Sequence, residues 1–222
     1  MKGFHYLIVI LFVVSCSSKK TVELPEVDRS EISKVSDLSQ AYLFYNTSKT
    51  DSMELNRRNL ISTTNWILHV DKRLTLAQAI PKIMFLQDKK RKAAHKNVEA
   101  KNYYTCNDRH HKTLGFIDFT EVTYHFKDFK PTLDSSYVFF RFEKPDHFNF
   151  KTAKGNTLTT LNSNISRWPE ILDSLITKRP EAKIMLGFKS TLRFQDYIWL
   201  KSKLSELDSR NKMISTDEFI FN

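Results

Sequence analysis

The chain has 222 residues, 41% hydrophobic and 13% aromatic, with only four Gly and six Pro, so it can bury a sizeable core and is not disordered throughout. Lys and Arg number 35 against 25 Asp and Glu, a net charge of +10, and two cysteines are too few for a disulfide-built miniprotein. Those figures exclude whole classes of protein without naming a ligand.

At the N-terminus, Lys2 supplies a short positive region and Tyr6 to Val14 are nine apolar residues in a row, the core of a signal peptide. A membrane span needs roughly 20 apolar residues, and this run stops at Ser15 and Cys16. The sequence Val13-Val14-Ser15-Cys16 resembles the lipobox of bacterial lipoproteins. The resemblance implies cleavage after residue 15, a thioether from the Cys16 sulfur to diacylglycerol, and often acylation of the new amine. Two or three chains anchor firmly, because each buried CH₂ contributes about 0.8 kcal/mol. Ser17 resembles the sorting residue of outer-membrane lipoproteins, and Lys19 and Lys20 depart from the acid-rich surface-export signals of some Gram-negative groups. A lipoprotein of the outer membrane facing the periplasm is the expectation. Cys106 is then the sole remaining thiol.

Residues 16–39 are read as the lipidated Cys followed by a polar tether of mixed charge with Pro25 and no apolar run. Extended, that tether reaches at most about 80 Å. An ordered arm laid along the domain is the other reading of the same residues.

Residues 40–222 are read as a single mixed α/β (α+β) domain of two coupled halves, about 40–130 and 131–222, with a mixed sheet covered by amphipathic helices. Ala41–Tyr45 and Trp66–Val70 are dense in aromatic and branched residues and predict strands. Ala79, Ile80, Ile83, Met84 and Leu86 form one helical face, and Thr75 and Gln78 have capping-box spacing, although Pro81 argues for a later start. Phe116, Phe119, Tyr124, Phe126 and Phe129, then Tyr137–Phe140, fit strands packed on both faces or pairing at an edge. Ile165, Trp168, Ile171, Leu172, Leu175 and Ile176 share a helical face. Ala182–Phe188 predicts a strand, Phe194 to Leu207 a helix, and Glu218–Phe221 a last strand.

A shift of 118 positions places Leu68, Leu74, Ile80 and Leu86 on Leu186, Leu192, Ile198 and Leu204, with Val70 on Phe188 and Leu76 on Phe194. Every match falls where a side chain should face inward, as expected of two copies of one strand–turn–helix unit; two common amphipathic patterns could also coincide. Trp168 to Leu207, with Arg179-Pro180-Glu181-Ala182-Lys183-Ile184 leading into the strand, resembles the periplasmic domain of the ExbD/TolR family, and Ile67 to Leu86 resembles a second, more degenerate copy. Val70-Asp71 fits that family's strand-ending Asp better than Phe188-Lys189 does. The family's transmembrane helix with its proton-accepting Asp has no counterpart here, so the resemblance implies fold and envelope interactions but no ion-driven motor.

The densest polar cluster is Cys106-Asn107-Asp108-Arg109-His110-His111, with His95 upstream and Asp118 and His125 downstream. Cys106, Asp108, His110 and His111 are proper ligand types for zinc, but adjacent histidines point apart and no HExxH or Cys-x₂-Cys spacing occurs. A structured turn around a buried small Cys is the competing reading. A Cys106 nucleophile would take His110 or His111 as its base. A Gly-x-Ser-x-Gly elbow and a glycine-rich phosphate loop are both missing from the sequence. Lys89, Lys90, Arg91, Lys92 and Lys96 form the sharpest basic patch, and residues 87–112 carry net +5. Secretion removes nucleic acid as a partner and leaves anionic glycans, phospholipid headgroups or an acidic protein, attracted over about 10 Å at 0.1 M salt.

The expectation is therefore a non-catalytic envelope lipoprotein acting as a binding or scaffold component, of an envelope transport assembly among other settings, with no cofactor. Its expected partners are the membrane through the anchor, an envelope protein or anionic glycan, and a second copy of the chain. The alternative is a metal- or cysteine-dependent envelope enzyme built on Cys106, His110 and His111.

Overall fold

A computed structural model describes residues 20–95, 97–126, 137–154, 157–208 and 214–222. The first half contributes β1 (Glu26–Val27), β2 (Leu38–Tyr45), β3 (Met53–Asn56), β4 (Asn65–Val70), α1 (Leu76–Arg91), β5 (Asn102–Asp108), β6 (Thr113–Asp118) and β7 (Thr123–Phe126). The second contributes β8 (Tyr137–Lys144), β9 (His147–Lys154), β10 (Thr157–Asn164), α2 (Trp168–Lys178), β11 (Lys183–Lys189), α3 (Phe194–Asp208) and β12 (Ile214–Phe221). The mixed α/β expectation holds, but the strands build two sheets, not one.

The first sheet runs β1-β5-β4-β2-β3 with β6 also on β5, and the second runs β10-β9-β8-β11-β12-β7. β2, β4 and β5 are parallel neighbours with β3 antiparallel on β2. β8, β11 and β12 are likewise parallel, with β9 antiparallel on β8. The two four-strand cores share one order and one sense. The shift of 118 carries Leu76, where α1 starts, onto Phe194, where α3 starts. All twelve residues that the shift pairs are buried, at 5% exposure or less.

Local chemistry explains the helix starts. Thr75 caps α1: its hydroxyl accepts from Gln78 N and its own N–H donates to Gln78 Oε1 at 2.8 Å. The later start that Pro81 argued for does not occur. Pro81 lies inside α1, where its missing bond would free the carbonyl of Ala77, and both residues are exposed, so water can satisfy that oxygen. In the second half, Pro169 lies in the first turn of α2, where no N–H is needed.

The halves join where the equivalent turns meet. Leu76 N–H donates to Leu192 O at 2.9 Å and Phe194 N–H to Leu74 O at 2.7 Å. Ala77 N–H donates to Ser190 O at 2.9 Å and Gln195 N–H to Lys72 O at 3.2 Å. Each bond becomes its counterpart under the same shift, which is the signature of an isologous, two-fold contact within one chain. One buried cluster takes residues from both sheets and from α1 and α3. Tyr104 of β5 stacks on Phe119 and meets Phe194 edge-on at 5.2 Å. The division near residue 130 is crossed by β7, which leaves the first sheet and pairs in parallel with β12.

From Lys20 onward the segment read as tether or arm lies along the domain. Glu23 O accepts from Lys72 N–H at 2.8 Å, Pro25 O accepts from Asn107 N–H at 2.7 Å, and β1 pairs with the end of β5. Gln195 exchanges two hydrogen bonds with Glu26, and Asp28 pairs with Lys203 at 2.8 Å. Cys16, Lys96, Phe129 and the expected signal peptide, residues 1–15, lie outside the described residues.

Candidate functional site

The outer face of the first sheet carries a floor of aromatic and imidazole rings. Alternation along β2 sends Ala41 and Leu43 into the core and leaves Gln40, Tyr42 and Phe44 half-buried on the opposite face. Tyr42 stacks on His69 of β4 at 4.6 Å and on Phe44 at 5.8 Å. The arm lies beside this floor and makes two clefts with it. One, of about 390 Å³, is lined by Lys20, Val22, Leu24, Tyr42, Phe44, Asn56 and His69. The other, of about 430 Å³, has a polar lining that includes Lys20, Asn46, Ser48, Lys49, Glu54 and Arg73.

His69 is held as a structural imidazole. Gln40 Oε1 accepts from the Tyr42 hydroxyl at 2.6 Å and lies 2.9 Å from His69 Nε2, so Nε2 carries the proton and Nδ1 accepts from Thr105 Oγ1 at 3.0 Å. Burial lowers its pKa to about 4, which keeps it neutral at pH 7 with both nitrogens engaged. This face offers ring contact, not proton transfer.

The arm is fastened at one end by Asp71, which is fully buried at the end of β4. Burial acts to raise its carboxyl pKa, but hydrogen bonds from Arg73 Nε and Nη2 at 2.8 and 2.7 Å, with the Glu23 N–H, hold it below the usual range. Arg73 also pairs with the Glu23 carboxylate at 2.7 Å and covers the Tyr45 ring.

The Cys–His–Asp cluster does not assemble as a reactive centre. Cys106 is fully buried in β5, and burial pushes its thiol up to about 12, so no thiolate is present at neutral pH. Asp108 accepts from Ser30 N–H, His111 N–H and His111 Nδ1, each at 2.8 Å. Enclosure acts to raise the Asp108 carboxyl, yet these bonds hold it well below the usual range. It thereby joins the arm to the Arg109–Lys112 turn, the structured-turn reading. His110 and His111 meet edge-on, while Asp118 pairs with Lys101 and His125 with Asp217. His95 is exposed, its backbone oxygen accepting from Ser62 Oγ. Among the described residues no group of three His, Cys, Asp or Glu is placed to hold a metal ion.

The basic patch is divided. Lys89, Arg91 and Lys92 are exposed at the end of α1, with Lys92 on Asp88 at 2.7 Å. Lys90 turns inward: its Nζ donates to Ala100 O, Lys101 O and Asn102 Oδ1 at 3.0 to 3.1 Å over the Trp66 ring. Burial draws its pKa down to about 8.

Sequence reading missed the Tyr42–Phe44–His69 floor, whose one local signal is a pair of aromatics two apart on a strand. It also missed a buried hydrogen-bond chain from the Tyr104 hydroxyl through Tyr124 (2.7 Å) and Tyr197 (3.0 Å) to Glu218 Oε2 (2.7 Å), with Lys201 on the other oxygen of Glu218. Comparison with protein families, with curated proteins and with solved structures finds no match.

Proposed function

We propose that this chain is a lipid-anchored protein of the bacterial envelope whose domain acts as a non-catalytic binding or scaffold component. The observation that carries the reading is the N-terminal order of Lys2, nine apolar residues, Ser15 and Cys16. The arm is consistent with it, because a lipidated Cys16 joined to a wrapped segment transmits restraint to the whole fold. The exposed cations Lys89, Arg91 and Lys92 fit an acidic envelope protein or anionic glycan. An outer-membrane position facing the periplasm follows from the resemblance of Ser17 to that sorting class.

The shared strand order of the sheets and the reciprocal bonds between their turns favour descent of the halves from one duplicated unit, for which the ExbD/TolR periplasmic domain is the resemblance at hand. Cysteine chemistry at Cys106 is not favoured, since its sulfur is enclosed and protonated.

Intact-mass analysis of protein extracted from cell envelopes tests the reading. A chain that begins at Cys16 and carries acyl mass, with Cys16→Ser released from the membrane fraction, is the expected result. A chain that retains Met1 and carries no acyl mass would overturn it.

A further inference from the structure

We infer that the end of the first sheet formed by the β2–β3 turn rests on the phospholipid headgroups, so that the basic end of α1 points away from the bilayer. This rests on the reading that Cys16 is the lipid attachment point. Lys20 is held on β3 by Glu54 at 2.5 Å, and Asp71, Arg73 and Lys72 grip Glu23 three residues later. Only four residue steps separate Cys16 from Lys20, a reach of at most about 14 Å. That replaces the reach of about 80 Å expected of a free tether and brings the β3 end of the sheet to the membrane.

The surface brought there fits headgroups and not acyl chains. Every residue from Asn46 to Ser52 is polar, and Thr47 to Asp51 are exposed. Lys20, Lys49 and Arg73 line the adjoining cleft against the single carboxylate of Glu54. The start of α1 belongs to the same end, since Gln78 Nε2 donates to Asp51 O at 2.8 Å. α1 has 16 residues, so its far end lies about 24 Å away at 1.5 Å per residue. There Lys89, Arg91 and Lys92 are exposed.

The test uses the full, lipidated chain with one fluorophore at Ser48→Cys or Lys89→Cys, in phosphatidylcholine vesicles with and without a headgroup-nitroxide lipid. Mass analysis of the same preparation reads the acyl group. Quenching several-fold stronger at position 48 than at 89 is expected. A flexible insert of twelve Gly and Ser residues between Lys19 and Lys20 should abolish the difference while leaving the acyl mass unchanged. Acyl mass on Cys16 with equal quenching or stronger quenching at 89 overturns the orientation alone, and a difference that survives the insert overturns the short tether as its cause. Absence of acyl mass overturns the anchor and the orientation with it.

Discussion

Thr75 and Arg193 hold the same place in the two halves, 118 positions apart, and form an antiparallel bridge with each other. A two-fold relation that holds for backbone bonds also sets the packing around them. Phe194, the residue after Arg193, is fully buried and meets the Tyr104 ring of the other sheet.

Cooperativity follows from that contact. Phe194→Ala should cost about 3–5 kcal/mol, the usual loss for a buried Phe. Urea unfolding followed by tryptophan fluorescence and by far-ultraviolet circular dichroism should still give coincident curves, since one core serves both sheets. Two separated transitions in the unaltered chain would contradict it.

The buried tyrosine chain makes stability sensitive to alkali. Burial raises the pKa of Tyr104, Tyr124 and Tyr197 well above the ordinary value of 10, so the folded state favours their neutral forms. Their contribution is full below pH 10 and lost as pH rises beyond it, because the unfolded chain releases these protons first. Absorbance at the tyrosinate band should show these three of the eight tyrosines ionising only as the protein unfolds. Tyr197→Phe, which deprives Glu218 Oε2 of its donor, should cost about 1–3 kcal/mol.

His69 gives the opposite sign. Its folded pKa of about 4 lies below the model-peptide value of 6.5, so the unfolded chain takes up the proton first as pH falls. The stabilisation is complete above that value and lost between about 6.5 and 4. Proton NMR should place the His69 midpoint near 4, and His69→Gln should flatten the pH dependence of denaturant midpoints across that window.

Within the basic run, stability should separate the lysines. Lys90→Met removes the Nζ donor from the buried Ala100 carbonyl and Asn102 side chain, while Lys101 O keeps the Trp66 N–H, and should cost about 2 kcal/mol, whereas Lys89→Ala should change stability by less than about 0.5 kcal/mol. Thermal unfolding of the two variants reads the contrast.

Cys106 should be silent to thiol reagents in the native protein and react once denatured, because its sulfur is buried and its pKa is about 12. Rapid native labelling would show that the β5–β6 hairpin opens.

Features that depend on neighbours along the chain were legible before folding was considered. Apolar spacing located α1, α2 and α3 and strands β2, β4 and β11; Thr75 and Gln78 gave the cap; and the shift of 118 found residues that prove buried. The N-terminal order of Lys2, an apolar run, Ser15 and Cys16 is likewise a local pattern. Periodicity reports that a face is covered, not what covers it. Long-range packing set the division of the described strands into two sheets, the pairing of β7 with the second, and the wrapping of the domain by residues from Lys20 onward. The same limit applies to polar side chains. Whether Lys90 meets water or three oxygens, and whether Cys106 faces a base or a core, depends on partners brought near by folding, and solvation decides their charge.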